Sequence, residues 1–198
     1  WQDASLQVCW PTRSPLIAET RAHDGEFFPG DMGSGSALED ALVTPLDMPS
    51  PGEYAPRSIL LTGGAGFIGC HVVEQLLSNN PSCKVVVLDK LDYCAAFQNV
   101  EPFVGRPNFR WCRGDIRSKC LVDYLLQSEE IDTIMNFAAS THVDNSFHSS
   151  ISFTANNVVG THVLLESARE YGRVKRFIHV STDEVYGTRH VPADETAP

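Results

Sequence analysis

The stretch LLTGGAGFIGCHVVEQLL, Leu60 to Leu77, sets Gly63, Gly66 and Gly69 three residues apart between a short apolar run and a helical pattern. A loop whose backbone must come against a phosphate cannot carry β-carbons at the point of contact, and a helix starting there offers unpaired N–H groups and a positive dipole end. On this spacing Gly63 allows the sharp turn out of a strand, Gly66 lets the chain approach a pyrophosphate, and Gly69 lets the helix pack closely on the sheet. Three such glycines also fit a plain flexible loop, so the flanks decide. Arg57 to Thr62 reads as a buried strand, and Phe67, Ile68, Val72, Val73, Leu76 and Leu77 give a helical apolar face. About twenty residues beyond Gly69, a second strand KVVVLD ends in Asp89, where a carboxylate suits both ribose hydroxyls of an adenosine. Together these predict a dinucleotide site. NAD is preferred over NADP because Asp89 would repel a 2′-phosphate, a bias that Lys90 softens only slightly.

The 198 residues are 42% hydrophobic, enough for one sizeable core and for one domain, at most two. A formal net charge of −10 argues against a nucleic-acid surface, since phosphate backbones are bound by clustered Lys and Arg. The six cysteines (9, 70, 83, 94, 112 and 120) form no C-x-x-C pair, and the seven histidines form no H-x-x-x-H pair, so no metal site is expected. Such cysteine usage fits a reduced, intracellular, cytoplasmic protein. No apolar run approaches the roughly 20 residues needed to span a bilayer, and the start of the chain has no signal-peptide pattern.

Residues 1–56 differ in character from the rest: seven of the chain's 12 prolines fall there, among Gly-Ser clusters with no sustained period. They read as a low-complexity, disordered leader. Residues 57–198 alternate short apolar strands with amphipathic helices, the pattern of a doubly wound α/β fold with a parallel sheet. Strands are expected at 58–62, 84–88, 109–113, 132–138 and 176–181, and helices at 67–78, 119–128 and 153–171, with a shorter one around 93–101. Right-handed crossovers then give a Rossmann sheet of order 3-2-1-4-5.

Three further segments fall at the carboxyl edge of such a sheet. RGDIR places Asp115 and Ile116 where an adenine would lie, although Asp115 serves equally well as a helix cap. NFAASTHVDNS closes the fourth strand with small residues at Ala138, Ala139 and Ser140, against which a cofactor could lie, while His142 and Asp144 are read as orienting the loop. Asn156 and Asn157 lie near the sheet edge, and Val158, Val159, Val163, Leu164 and Leu165 are read as core. Finally, VSTDEVYG brings Thr182, Asp183 and Glu184 to the end of the fifth strand, beside the reactive end of a bound dinucleotide. Adjacent carboxylates there suit acid and base work. Asp183 would have to stay protonated near neutrality, at a cost of roughly 4 kcal/mol supplied by desolvation and the charge of Glu184.

The combination TGGAGFIG, LDKLDYC, GDI, FAASTHVDNSF, NNVVGTHVLLE and VSTDEVYG resembles the nucleotide-sugar 4,6-dehydratases of the extended short-chain dehydrogenase/reductase family, over about 57–198. The wording of LDKLDYC and FAASTHVDNSF leans toward the UDP-glucose enzymes of rhamnose synthesis, beside those acting on dTDP-glucose. The TDE triplet separates dehydratases from the related epimerases and decarboxylases, which remain the rival enzymatic reading. The resemblance implies a bound NAD, hydride removal from sugar C4, loss of water across C5 and C6, and hydride return to C6. It implies that Thr182 hydrogen-bonds the sugar, Asp183 protonates the departing hydroxyl and Glu184 takes the C5 proton. The matched cofactor positions are Phe67, Ile68, Asp89, Lys90, Leu91, Asp92, Asp115, Ile116, Phe137, Ala138, Ala139, Ser140, Thr141 and Asn156, with Thr141 also reaching the sugar. Such enzymes dimerise through helices, the long one near 153–171 included. They also carry a Tyr-x-x-x-Lys pair, expected beyond ETAP, whereas Tyr186 is followed four residues on by His190. The 198 residues by themselves are therefore expected to be inactive, an incomplete enzyme or a non-catalytic dinucleotide-binding product.

Overall fold

The computed structural model describes residues 54–187. The expected leader, apart from its last three residues, lies outside the described residues, as does everything after Gly187.

Five parallel strands form one sheet: β1 (Ser58–Thr62), β2 (Lys84–Asp89), β3 (Phe109–Arg113), β4 (Thr133–Asn136) and β5 (Arg176–His179). Their order is β3-β2-β1-β4-β5, the doubly wound arrangement anticipated from the alternating pattern. The registers are continuous: Leu60 pairs with Val86 on one side and Ile134 on the other. Val86 pairs in turn with Arg110, and Ile134 with Phe177. β1 and β2 are buried along almost their whole length, which is why both read as unbroken apolar runs.

Helices cover both faces. α1 (Phe67–Asn79) packs Val73 and Leu77 with Ile59, Leu61, Val85 and Val87 on one face. On the other, α2 (Lys119–Ser128) and α5 (Gly160–Tyr171) bury Val122, Leu125, Leu126 and Leu164 against Leu60, Val86, Leu88 and Ile134. Truncating any of these fully buried leucines to alanine would cost about 2–5 kcal/mol.

The fold departs from the sequence reading in several places. β4 and β5 end at Asn136 and His179, earlier than expected, although the N–H of Phe137 still bonds the Thr62 carbonyl and that of Val180 the Asn136 carbonyl. The segment around 93–101 is two short 3₁₀ turns, Phe97–Asn99 and Glu101–Phe103, with Pro102 inside the second. Residues taken as loop after β4 form a short helix α3 (Val143–His148). The single helix expected over 153–171 is a composite: α4 (Ser150–Phe153), a π-helical turn (Thr154–Val159) and then α5. Of the apolar residues read there as core, Leu164 is buried and Val163 is half-buried against the same cluster, whereas Val158, Val159 and Leu165 face solvent. Phe67 and Ile68 are likewise 78% and 61% exposed, so the inward face of α1 begins at Gly69.

Candidate functional site

β1 has β2 on one side and β4 on the other, so the loops leaving β1 and β4 part at the carboxyl edge and leave a cleft between them. The glycine loop forms its floor. Gly63 has φ +72°, and a β-carbon there would stand 2.7 Å from the backbone nitrogen of Ala138. Gly69 admits no side chain either, since its β-carbon would lie 2.2 Å from the Gly63 carbonyl oxygen. At Gly66, among the described residues, a β-carbon would approach only that same oxygen, at 3.3 Å, and Gly66 lines the cleft. Gly66 is the N-cap of α1, and among the described residues no side chain caps the helix; its first turn holds no acidic residue. The first N–H groups and the positive dipole end are thus left for an anion. The glycine spacing therefore has three separate physical causes, one at each position.

Asp89 ends β2 with 7% exposure. Its Oδ2 accepts the N–H of Ala65 at 3.0 Å and its Oδ1 that of Leu91 at 2.8 Å, which holds Leu91 in a left-handed conformation (φ 60°). A carboxylate has about four acceptor positions, so roughly two remain for hydroxyl donors. Lys90 Nζ bridges Asp92 Oδ2 at 2.8 Å and Asn156 Oδ1 at 3.1 Å, and this pairing holds the Asp92 carboxyl below its ordinary range. Asp115 does not cap α2, whose N-cap is Ser118. Its carboxylate is instead taken up by the Arg117 side chain and backbone N–H, and that hydrogen bonding lowers its pKa.

The opposite wall is the segment after β4. Phe137, Ala138, Ala139 and Ser140 face the glycine loop along the whole cleft, which runs from Asp89, Asp92 and Ile116 at one end to Thr141, His179 and Thr182 at the other. The wider end encloses about 560 Å³, within the ~300–1,000 Å³ usual for small-molecule sites. Beneath it lies a set of neutral polar groups that the sequence reading did not single out. Thr62 Oγ1 donates to Asn136 Oδ1 at 2.5 Å and accepts the N–H of Ala138 at 3.3 Å. Asn136 Nδ2 donates to Thr161 Oγ1 at 3.3 Å and lies 3.1 Å from His179 Nδ1. Thr161 Oγ1 spends its own proton on the Asn157 carbonyl, so the Asn136 amide is oriented without ambiguity. Polar side chains at strand ends (Thr62, Asn136, His179) were the available signal.

Thus the cleft gathers Gly63, Gly66, Phe67, Ile68, Gly69, Asp89, Lys90, Asp92, Ile116, Phe137, Ala138, Ala139, Ser140, Thr141, Asn156 and Thr182. Leu91 and Asp115 belong to the same edge through the contacts above. Asp183 and Glu184 begin a 3₁₀ turn, Asp183–Tyr186, that follows Thr182 directly; their side chains lie outside what is described.

A parallel sheet opened at its switch point, with a glycine loop leading into a helix over the opening and an acidic residue ending β2, defines a doubly wound α/β protein of the Rossmann type. The family model described as GDP-mannose 4,6 dehydratase matches residues 60–198, and the chain belongs to that nucleotide-sugar 4,6-dehydratase family. Over 134 residues, 68% of this chain, it is 60% identical to a trifunctional UDP-glucose 4,6-dehydratase/UDP-4-keto-6-deoxy-D-glucose 3,5-epimerase/UDP-4-keto-L-rhamnose-reductase of Arabidopsis thaliana, covering 20% of that protein. It is 48% identical over 149 residues to the dTDP-D-glucose 4,6-dehydratase of Mus musculus, covering 75% of this chain and 41% of the relative. Among solved structures, the dTDP-glucose 4,6-dehydratase DesIV of Streptomyces venezuelae, crystallised with NAD, superposes with a TM-score of 0.66 at 43% identity, covering 71% of this chain and 44% of that one. The chain therefore spans less than half the length of each of these relatives.

Proposed function

We propose that residues 57–198 are the NAD-binding domain of an NDP-glucose 4,6-dehydratase, preceded by a leader of separate character. The observation that carries this reading is the uncapped start of α1, with Gly66 lining the cleft and Asp89 at the end of β2. These residues fit a dinucleotide: a diphosphate takes the α1 N–H groups, Asp89 accepts from the adenosine ribose, and Ala138 to Thr141 leave room for the nicotinamide half. The Asp89 carboxylate at the end of β2, which would repel a 2′-phosphate, favours NAD over a 2′-phosphorylated form.

NAD, when bound, supplies hydride acceptance from sugar C4 and hydride return at C6. The C4 hydroxyl proton released with that hydride falls to the Tyr-x-x-x-Lys pair expected beyond ETAP, and residues of this chain serve the other steps. Thr182 and Thr141 hold the sugar at the inner end of the cleft. Oxidation at C4 acidifies the C5 proton, which the Glu184 carboxylate removes, while Asp183 gives a proton to the departing C6 hydroxyl, so that one water leaves. The substrate is a nucleotide-sugar, UDP- or dTDP-glucose, with identity to relatives of both kinds in support.

The protein acts as a homodimer, for which the solvent-facing Ile151, Val158, Val159 and Leu165 along the composite helix offer an apolar surface. It works in the cytoplasm: Cys70, Cys83, Cys94, Cys112 and Cys120 are free thiols, and no described helix is long and apolar enough to cross a membrane.

The test is product analysis by mass spectrometry with UDP-glucose and dTDP-glucose, using the 198-residue chain and any longer product of the same gene that carries a Tyr-x-x-x-Lys. Formation of the 4-keto-6-deoxy sugar by the longer form, its loss in Asp183→Asn and Glu184→Gln, and inactivity of the 198 residues alone are expected. A C4 epimer or a decarboxylated sugar as product would move the chain to a sister reaction. NAD binding with no turnover in any form would make it a binding protein.

A further inference from the structure

Between the two walls of the cleft runs a chain of side-chain amides. Lys90 Nζ, beside Asp89 at the adenosine end, donates to Asn156 Oδ1 at 3.1 Å, and Asn156 Nδ2 donates to Asn157 Oδ1 at 3.1 Å. Asn157 then grips Ser140 twice: its Oδ1 accepts the Ser140 N–H at 2.8 Å and its Nδ2 donates to the Ser140 carbonyl at 2.9 Å. A carboxamide carries a donor and an acceptor on one edge, as a strand does, so it can satisfy both backbone groups of one residue in a segment that has left the sheet. β4 ends at Asn136, and Ser140 lies four residues beyond it, in the wall that faces the glycine loop.

The grip depends on local helix geometry. Asn156 and Asn157 sit in the six-residue π-helical turn that interrupts an otherwise α-helical run. Such turns are rare and recur at functional sites because they re-aim side chains that a regular helix would stack along fixed faces. Here neighbouring amides serve different partners, Asn156 the Lys90 side and Asn157 the Ser140 side. Thr161 Oγ1 donates back to the Asn157 carbonyl at 2.7 Å, which holds the widened turn.

We infer that Asn157 is a positioning residue that clamps the wall Ala138–Thr141 through Ser140, and so sets the width of the cleft for its dinucleotide. The inference rests on the NAD reading for its ligand, and on the described hydrogen bonds alone for the clamp. It adds to the expected cofactor positions a residue that need not touch the cofactor at all.

The experiment measures two things on the 198-residue chain and its Asn157→Ala and Asn157→Asp variants: hydrogen exchange of the Ser140 amide by NMR, and NAD affinity by calorimetry. In N157A the Ser140 amide should exchange at least about tenfold faster while amides of β1 and β2 keep their protection, and NAD should bind about tenfold more weakly. N157D keeps the acceptor for the Ser140 N–H but loses the donor to its carbonyl; it should retain amide protection nearer the parent and still bind NAD more weakly. Unchanged Ser140 exchange in N157A, unchanged NAD affinity in both variants, or loss of protection spread evenly over the sheet would overturn the inference. A parent chain that binds no NAD, yet loses Ser140 protection in N157A, would sink the NAD reading and leave the clamp standing.

Discussion

The two ends of the sheet handle buried polar groups in opposite ways. At the amino ends of the strands, Glu129 is nearly inaccessible, and its carboxylate is paired to both Lys84 and Arg110, while its carbonyl accepts from Ser58 Oγ at 2.8 Å. Asp132 beside it accepts the Arg57 N–H at 3.0 Å and the Thr133 hydroxyl at 3.1 Å. Every strong acceptor there has found its partner within the chain. At the carboxyl ends, the buried Asp89 carboxylate accepts only two backbone N–H groups, amides and hydroxyls hold the loops in place, and among the described residues no side chain caps the first N–H groups of α1. One end fixes the sheet; the other is fixed around a space.

This contrast can be broken by mutation. The largest effect should come from Glu129→Ala, which strips one carboxylate from two cations and should cost about 3 kcal/mol in urea unfolding, toward the low end of ~3–5 because Lys84 and Arg110 can reach water. NAD affinity of the folded protein should stay within about twofold. A parallel loss of binding would mean the two ends are not separable.

Next come the glycines. Gly69→Ala drives a methyl into the Gly63 carbonyl and should cost about 1–3 kcal/mol along with NAD affinity. Gly66→Ala should cost no more than about 1 kcal/mol, because its backbone (φ −77°, ψ 172°) suits any residue and only the N-cap preference and a 3.3 Å approach to the Gly63 carbonyl oppose it, while weakening NAD at least tenfold. Equal behaviour of the two variants in thermal melts would refute the separate roles given to them.

A smaller effect is chemical. Burial pushes the Cys83 thiol up to about 11, with Asp132 adding to the shift. At pH 8 it should alkylate far more slowly than the exposed Cys94 and Cys120. Because Cys94 lines the cleft, NAD should slow its modification and leave that of Cys120 unaltered, as peptide mapping would show.

The smallest effect concerns pH. Hydrogen bonding from Arg117 holds the Asp115 carboxyl below its ordinary value, so its contribution to stability is present above pH 4 and is lost as pH falls through the lowered folded-state value. Asp115 and Arg117 are partly exposed, so screening leaves well under ~1 kcal/mol. Acid titration of Asp115→Asn should show a slightly shallower fall in stability below pH 4 than the parent.

How far the sequence could be read follows from the range of the interactions. The strands, α1, α2 and the glycine loop announce themselves locally, because burial on both faces demands unbroken apolar runs and a tight loop demands glycine. The Glu129 and Asp132 pairs could not be read, since Lys84 and Arg110 lie far from Glu129 along the chain and meet it only once β2 and β3 are side by side. The π-helical turn was hidden for another reason: TANNVVG consists mostly of weak helix formers, which does not say what kind of irregularity to expect, and an altered hydrogen-bond pattern leaves no mark of its own on the sequence. Apolar periodicity also over-counted the core at Phe67, Ile68, Val158 and Val159, because it registers which residues share a face without saying where that face stops meeting the sheet.

The central claim is that the carboxyl edge is built to hold a dinucleotide on the first turn of α1. Calorimetric titration of NAD into the 198-residue chain and into its Gly66→Ala variant, with melting curves for both, tests it most directly. Saturable heat in the parent and at least tenfold weaker binding in the variant, still folded by its melting curve, are predicted; no heat in the parent at millimolar NAD, or identical affinities, would contradict it.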